Sequence, residues 1–124
     1  MMKCELLEGG FKPTQRNKYS AGFDLFTPTD LSLSKGTHII KMAIKFELPY
    51  GTYCSIQSLS YLMEHGVFVE NTIVNEDERK EVEVVLRLDK PFECKRGQVI
   101  AQAVIKPRMI PLISVHKVNP IRRL

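Results

Sequence analysis

The densest group of chemistry-bearing side chains in the sequence is Asn75-Glu76-Asp77-Glu78-Arg79-Lys80. Three adjacent carboxylates are close enough for one of them to be presented to a water or hydroxyl as a general base. Asn75 leads the group, and an amide hydrogen-bonds but accepts no proton near neutral pH. The β-rich runs Thr72–Val74 and Val82–Leu88 flank it, which predicts a hairpin with the polar group at its tip.

Other nucleophile and ligand patterns are sparse. Cys4, Cys54 and Cys94 lie tens of residues apart, with no Cys-x-x-Cys and no Cys/His spacing of a zinc site. They read as free thiols in or near a core in a reducing compartment. His38, His65 and His116 each stand alone, so sequence proximity builds no catalytic histidine pair. The predicted place is intracellular, cytoplasmic or nuclear. The acidic start Met-Met-Lys-Cys-Glu-Leu-Leu-Glu does not read as a signal peptide, and no apolar run of about 18 residues predicts a membrane span.

Around these residues the pattern is one of strands. The sequence predicts strands at Lys3–Leu7, Ala21–Phe26, Thr37–Leu48, Thr52–Gln57, Val67–Val69, Thr72–Val74, Val82–Leu88, Phe92–Cys94, Gln98–Ile105 and Ile110–Val118. Within the longest, Ile40, Met42, Ile44 and Phe46 share one face. Ser58–His65 carries the one helix-like composition, with Ser58 or Ser60 as N-cap and Gly66 as the stop. About ten short strands with almost no helix predict an all-β sandwich or barrel. Its 124 residues suit one domain, 1–124, with a core of its own.

The net charge of +4 is unevenly spread. Glu64–Glu93 holds nine acidic and four basic residues, while Lys95–Leu124 holds seven basic and no acidic ones. A basic tail can attract nucleic acid. This one lacks Phe, Tyr and Trp, hence any stacking platform for single strands, and reads as a solvated edge or a contact with a neighbouring subunit.

Four segments, in order, resemble the signatures of the trimeric dUTPase family. Ser20-Ala21-Gly22-Phe23-Asp24-Leu25 resembles the first, and Tyr50-Gly51 with Ser55–Leu59 takes the place of the second. Ile73–Lys80 running into Val82–Leu86 resembles the third, and Lys95–Ile105 the fourth. The resemblance spans residues 2–118 and implies a jelly-roll β-barrel with one short helix. It also implies a homotrimer with sites between subunits, and cleavage of dUTP to dUMP and pyrophosphate with Mg²⁺ riding on the phosphates.

Carried over residue by residue, the resemblance places Asn75 where the family has its aspartate base. Glu78 stands in place of a tyrosine under the deoxyribose, and Lys80 in place of a turn glycine. Counted without a gap from Tyr50-Gly51, the family's phosphate-binding arginine falls on Ile56 and its serine on Gln57. Asp24, Asp77 and Gln102 match the family, and Gln57 is a polar stand-in. Each also has a structural alternative: turns organised by Asp24 and Asp77, a solvated Gln57, and backbone satisfied by Gln102 at a subunit contact. The arginine- and glycine-rich arm is not seen, since no glycine follows Gly97.

These departures predict a catalytically degenerate, viral-type relative serving as an interaction or regulatory protein, with host or cellular proteins as partners. On that expectation Asp24, Gln57, Asn75, Asp77, Glu78 and Gln102 are remnants of a nucleotide site, with no catalytic residue, no metal and no cofactor. The alternative is a divergent nucleotide hydrolase of weak or altered activity, with Mg²⁺ retained and one of Glu76, Asp77 and Glu78 as its base. The ending Ile121-Arg122-Arg123-Leu124 fits a PDZ-type ligand poorly, because Arg122 replaces the usual Ser or Thr.

Overall fold

The computed structural model describes residues 1–118, so the Ile121–Leu124 reading lies outside the described residues. The elements are β1 (Lys3–Leu6), β2 (Phe23–Phe26), β3 (Leu31–Leu33), β4 (Gly36–Glu47), β5 (Thr52–Gln57) and α1 (Ser60–Met63). They continue with β6 (Val67–Val69), β7 (Thr72–Val74), β8 (Glu81–Leu88), β9 (Phe92–Cys94) and β10 (Val99–Pro107). Two four-stranded antiparallel sheets, β1-β4-β8-β6 and β2-β10-β5-β7, are joined by the small pair β3-β9.

Alternation drives this arrangement. In β8, Val82, Val84, Leu86 and Leu88 are buried while Glu83 and Arg87 face water. In β4, Ile40, Met42, Ile44 and Phe46 are buried as their period-2 spacing requires. These side chains meet Leu25, Ile56, Ile100, Ala101 and Ala103 of the other sheet in one apolar cluster. Each large member contributes about 1.5–3 kcal/mol by leaving water.

A bulge interrupts β4. Its pairing with β8 slips between Lys41 and Lys45, and Ala43 adopts φ 58°, the left-handed region that costs a non-glycine residue about 1–2 kcal/mol. The strained residue is held from three sides. Ala43 N donates to Glu81 Oε2 at 2.9 Å, its carbonyl accepts from Leu7 N at 2.8 Å, and Gly10 packs against that carbonyl. A Cβ on Gly10 would sit 2.1 Å from Ala43 O.

Three expectations need correction. Residues 108–118 form no strand: Met109, Ile110, Leu112, Ile113, Val115 and Val118 are all at least 76% exposed. β propensity needs a pairing partner to become a strand, and none of the described strands pairs with this segment. Helix α1 is only four residues long, with Leu59 as N-cap and no side-chain cap. Ser58 is committed elsewhere, because its hydroxyl accepts from Val69 N at 2.7 Å and donates to Val69 O at 3.2 Å. The predicted hairpin is not a strand pair, because β7 pairs with β5 while β8 pairs with β4 and β6 in the other sheet; strand β3 was not foreseen.

Candidate functional site

Two groups of polar side chains stand out on this fold, one of them including the buried Asp24. The first is a row across one sheet. Asp24 in β2 pairs in register with Gln102 in β10, and Gln102 pairs with Gln57 in β5. Residues directly opposed on antiparallel strands point to the same face. Their sequence neighbours Leu25, Ile56, Ala101 and Ala103 point the other way, into the core. Three of the residues singled out from sequence are therefore brought together by strand register.

Each member is anchored. Gln102 Nε2 donates to Ser58 O at 3.0 Å, which satisfies backbone within the chain. Gln57 Nε2 donates to Ser55 Oγ at 3.1 Å, and Ser55 Oγ donates to Asn71 Oδ1 at 2.8 Å. A carboxamide has two N–H donors, so each glutamine keeps one for a further partner. Asp24 organises no turn of its own. Its carboxylate pairs with Arg16 through Nε at 3.3 Å, and its backbone bridges to Thr14.

The second group is the turn between β7 and β8, which crosses from one sheet to the other. Glu78 N donates to Asn75 O at 3.1 Å, closing a turn over residues 75–78. The Glu78 side chain folds back so that Oε1 accepts from Asn75 N and from Asn75 Nδ2, both at 3.1 Å. A carboxylate thus stands against the amide at position 75. Glu76 Oε1 accepts from Gly51 N at 2.9 Å and from Arg108 Nη2 at 3.0 Å, tying this turn to the 49–51 turn. Arg79 Nη1 donates to Glu76 O and Glu78 O, and its Nη2 pairs with Glu47 at 3.6 Å. Asp77 is exposed, in an open cleft lined also by Asn75, Glu76, Arg79 and Arg108. Among the described residues, no hydrogen bond joins the β7–β8 turn to the row.

Two arguments for a lost site do not survive this geometry. Lys80 was read as a poor replacement for a turn glycine, yet Ala43 is the only non-glycine residue with positive φ among those described. The turn closes without that conformation at Lys80. Ile56 was taken for the phosphate-binding position, but it is 0% exposed and packs in the core. Strand alternation puts Ser55 and Gln57 on the outer face instead, so an arginine at position 56 would be aimed inward.

The thiols play no part here. Burial pushes Cys54 up to about 12, and it also raises Cys4 and Cys94, the latter with help from the negative charge of Asp30. A thiol so placed supplies little thiolate at neutral pH. Residues the sequence did not flag are Arg16, Asn71 and Arg108. Only the Thr14–Asp24 bridge, a tertiary contact, brings Arg16 to the row.

The antiparallel two-sheet architecture with its short helix is that of a dUTPase-like jelly roll. Its backbone matches a dUTPase of Staphylococcus bacteriophage 80alpha with a TM-score of 0.87 over 96% of this chain and 98% of that one, at 18% identity. A dUTPase of phage phi11 of S. aureus, described as coordinating a structural Mg(II) ion, matches with a TM-score of 0.85 at 16% identity, covering 99% of each chain. The sequence model of the dUTPase family matches residues 11–124. The chain is 33% identical to the deoxyuridine 5'-triphosphate nucleotidohydrolase of Candida glabrata, over 80% of this chain and 72% of that protein. It is 36% identical to that of Nautilia profundicola, over 90% and 83%, and 35% identical to that of Clostridium tetani, over 95% and 85%.

The chain belongs to the dUTPase family. The expectation of a retired, non-enzymatic interaction protein is corrected by these relatives, which are named as nucleotide hydrolases and align over most of the chain. What residue-by-residue matching did not show is that the Glu78 carboxylate folds back onto Asn75.

Proposed function

We propose that the protein is a divergent dUTP hydrolase of modest rate, cleaving dUTP to dUMP and pyrophosphate. The observation that carries this reading is the 33–36% identity to named deoxyuridine triphosphate nucleotidohydrolases along most of the chain. Asp24, Gln57 and Gln102 form the phosphate-facing row, while the turn of Asn75, Asp77 and Glu78 handles the attacking water. The whole chain, 1–124, acts as one intracellular domain in a homotrimer, and this turn from one subunit meets the row of another.

Asn75 cannot take a proton, but it can orient the group that does. With Oε1 of Glu78 held by two N–H groups of Asn75, Oε2 is left to accept the proton of water. This is a base oriented by a neighbour, displaced three residues along the turn. A longer side chain in an exposed turn is less tightly placed than a short one, and small misplacements cost rate.

The family implies Mg²⁺. Among the described residues no cluster of three His, Cys, Asp or Glu side chains could cage an ion. That donor set fits an ion which keeps its waters and takes phosphate oxygens with one carboxylate, and Asp24 is the residue that would hold it. When bound, Mg²⁺ supplies neutralisation of phosphate charge.

The test is pyrophosphate release from each of the four DNA deoxynucleoside triphosphates and from dUTP, with Mg²⁺ present. Turnover selective for dUTP is expected, and no turnover of any of them would overturn the reading. Light scattering tests the shared site, since a monomer would separate the turn from the row.

Among the described residues, no helix is long and apolar enough to cross a membrane.

A further inference from the structure

Strand β5, Thr-Tyr-Cys-Ser-Ile-Gln, brings no cation to the polar row, and Ile56 faces the core. A cation reaches the row from a different element, the loop between Phe11 and Gly22. Arg16 lies on this loop, with Nε 3.3 Å from Asp24 Oδ2 and Nη2 3.5 Å from Asp24 Oδ1. Its guanidinium carbon sits 5.5 Å from the centre of the Tyr61 ring, on the first turn of α1.

We propose that Arg16 binds the pyrophosphate portion of the nucleotide, a guanidinium supplied by the first loop instead of by β5. The proposal rests on the reading that this protein binds dUTP. A guanidinium has five N–H donors in a planar fork. Arg16 gives two of them to Asp24 and leaves three without a partner among the described residues, on a side chain that is half exposed.

The side chain is preorganised for this task. Asp24 holds one edge of the fork, and the Tyr61 ring supports one face through a cation–π contact. The loop beneath it is fastened by Tyr19 N donating to Asn17 Oδ1 at 2.9 Å and Gln15 Nε2 donating to Ser20 O at 2.9 Å. Arg16 therefore has little rotamer freedom left to lose on binding an anion. It also offsets the charge of Asp24, which would otherwise repel a polyanion. From Asp24 the row runs two strand spacings, about 9.5 Å, to Gln57. Both glutamines lie along that line.

The competing account makes Arg16 only the counter-ion of Asp24, and paired variants separate the two. Calorimetric titrations with pyrophosphate, deoxyuridine and α,β-imido-dUTP, all with Mg²⁺, are run on wild type, Arg16→Gln, Asp24→Asn and the double variant Arg16→Gln/Asp24→Asn. Loss of a charge-assisted contact predicts about ten- to hundredfold weaker binding of pyrophosphate and imido-dUTP to Arg16→Gln, with deoxyuridine binding unchanged. The double variant has no unpaired carboxylate, so it folds even if the single variant does not, and it binds pyrophosphate more weakly than Asp24→Asn alone. Equal pyrophosphate affinity in the double variant and in Asp24→Asn would overturn the proposal, as would an equal loss for deoxyuridine in Arg16→Gln. Absence of imido-dUTP binding to the wild type would instead overturn the dUTP reading on which it rests.

Discussion

Replacing Glu78 by Gln is the sharpest test of how the β7–β8 turn works. The substitution preserves the length of the side chain and an acceptor oxygen at Oε1. The two 3.1 Å bonds from Asn75 and the turn they brace therefore remain possible. What disappears is the ability to take a proton. General-base assistance is worth about 10²–10⁴ in rate, so kcat for dUTP should fall by that factor, equivalent to about 3–5 kcal/mol of transition-state stabilisation. KM should change little, because the row and Arg16 are untouched. The assay is steady-state pyrophosphate release at saturating Mg²⁺, with a thermal melt to show that the turn still folds. Asn75→Ala provides the companion measurement. It removes the Nδ2 donor but keeps the backbone N–H, so Glu78 loses one of two restraints, and kcat should fall about tenfold at most. If Glu78→Gln keeps kcat within about threefold of wild type, the base is not Glu78 and the oriented-carboxylate argument fails.

The fold makes further predictions. Gly10→Ala and Gly22→Ala each place a Cβ within 2.1 Å and 2.6 Å, respectively, of a backbone oxygen, and should destabilise by about 1–3 kcal/mol in urea titrations. Gly51→Ala meets no neighbouring atom but has φ 78°, so its cost should be limited to about 1–2 kcal/mol of backbone strain. Glu81→Ala removes the acceptor of Ala43 N–H and should cost about 1–3 kcal/mol, while Ala43→Gly should relieve the left-handed strain and be neutral or stabilising. Cys54 ionises at about 12 when folded and at the ordinary 9.0 when unfolded. The unfolded thiol releases its proton first, so stability should decline as pH rises from 9.0 towards 12, by about 1.4 kcal/mol per pH unit from this group. Urea midpoints of wild type and Cys54→Ala across that range check the slope.

Much of the fold was legible because strands with one buried face announce themselves. The alternation of Ile40, Met42, Ile44 and Phe46, and of Val82 through Leu88, is a local signal that the packing preserves. The bulge at Ala43 was not legible, since nothing in Lys-Met-Ala-Ile-Lys marks a left-handed residue. Residues 110–118 showed the limit of propensity, which reports suitability for pairing but not the presence of a partner. The site divided in the same way. Asp24, Gln57 and Gln102 were found by their resemblance to a family pattern, yet their common row depends on registers between distant strands. Arg16 and the Glu78–Asn75 contact arise from loop closure, which residue-by-residue matching does not see.

The polar row also governs which sequence changes this protein can accept. Its three side chains are aligned by ladder pairing, across strands that begin at Phe23, Thr52 and Val99. Adding or deleting one residue in β5 before Gln57, where the pairing with β10 is unbroken, would turn that side chain to the core face and bring an apolar neighbour outward. The same change in the loop after Phe26 would leave the row untouched. Length in the strands should therefore be held more strictly than residue identity, and descendants of this chain can vary by substitution at the row far more readily than by insertion beside it.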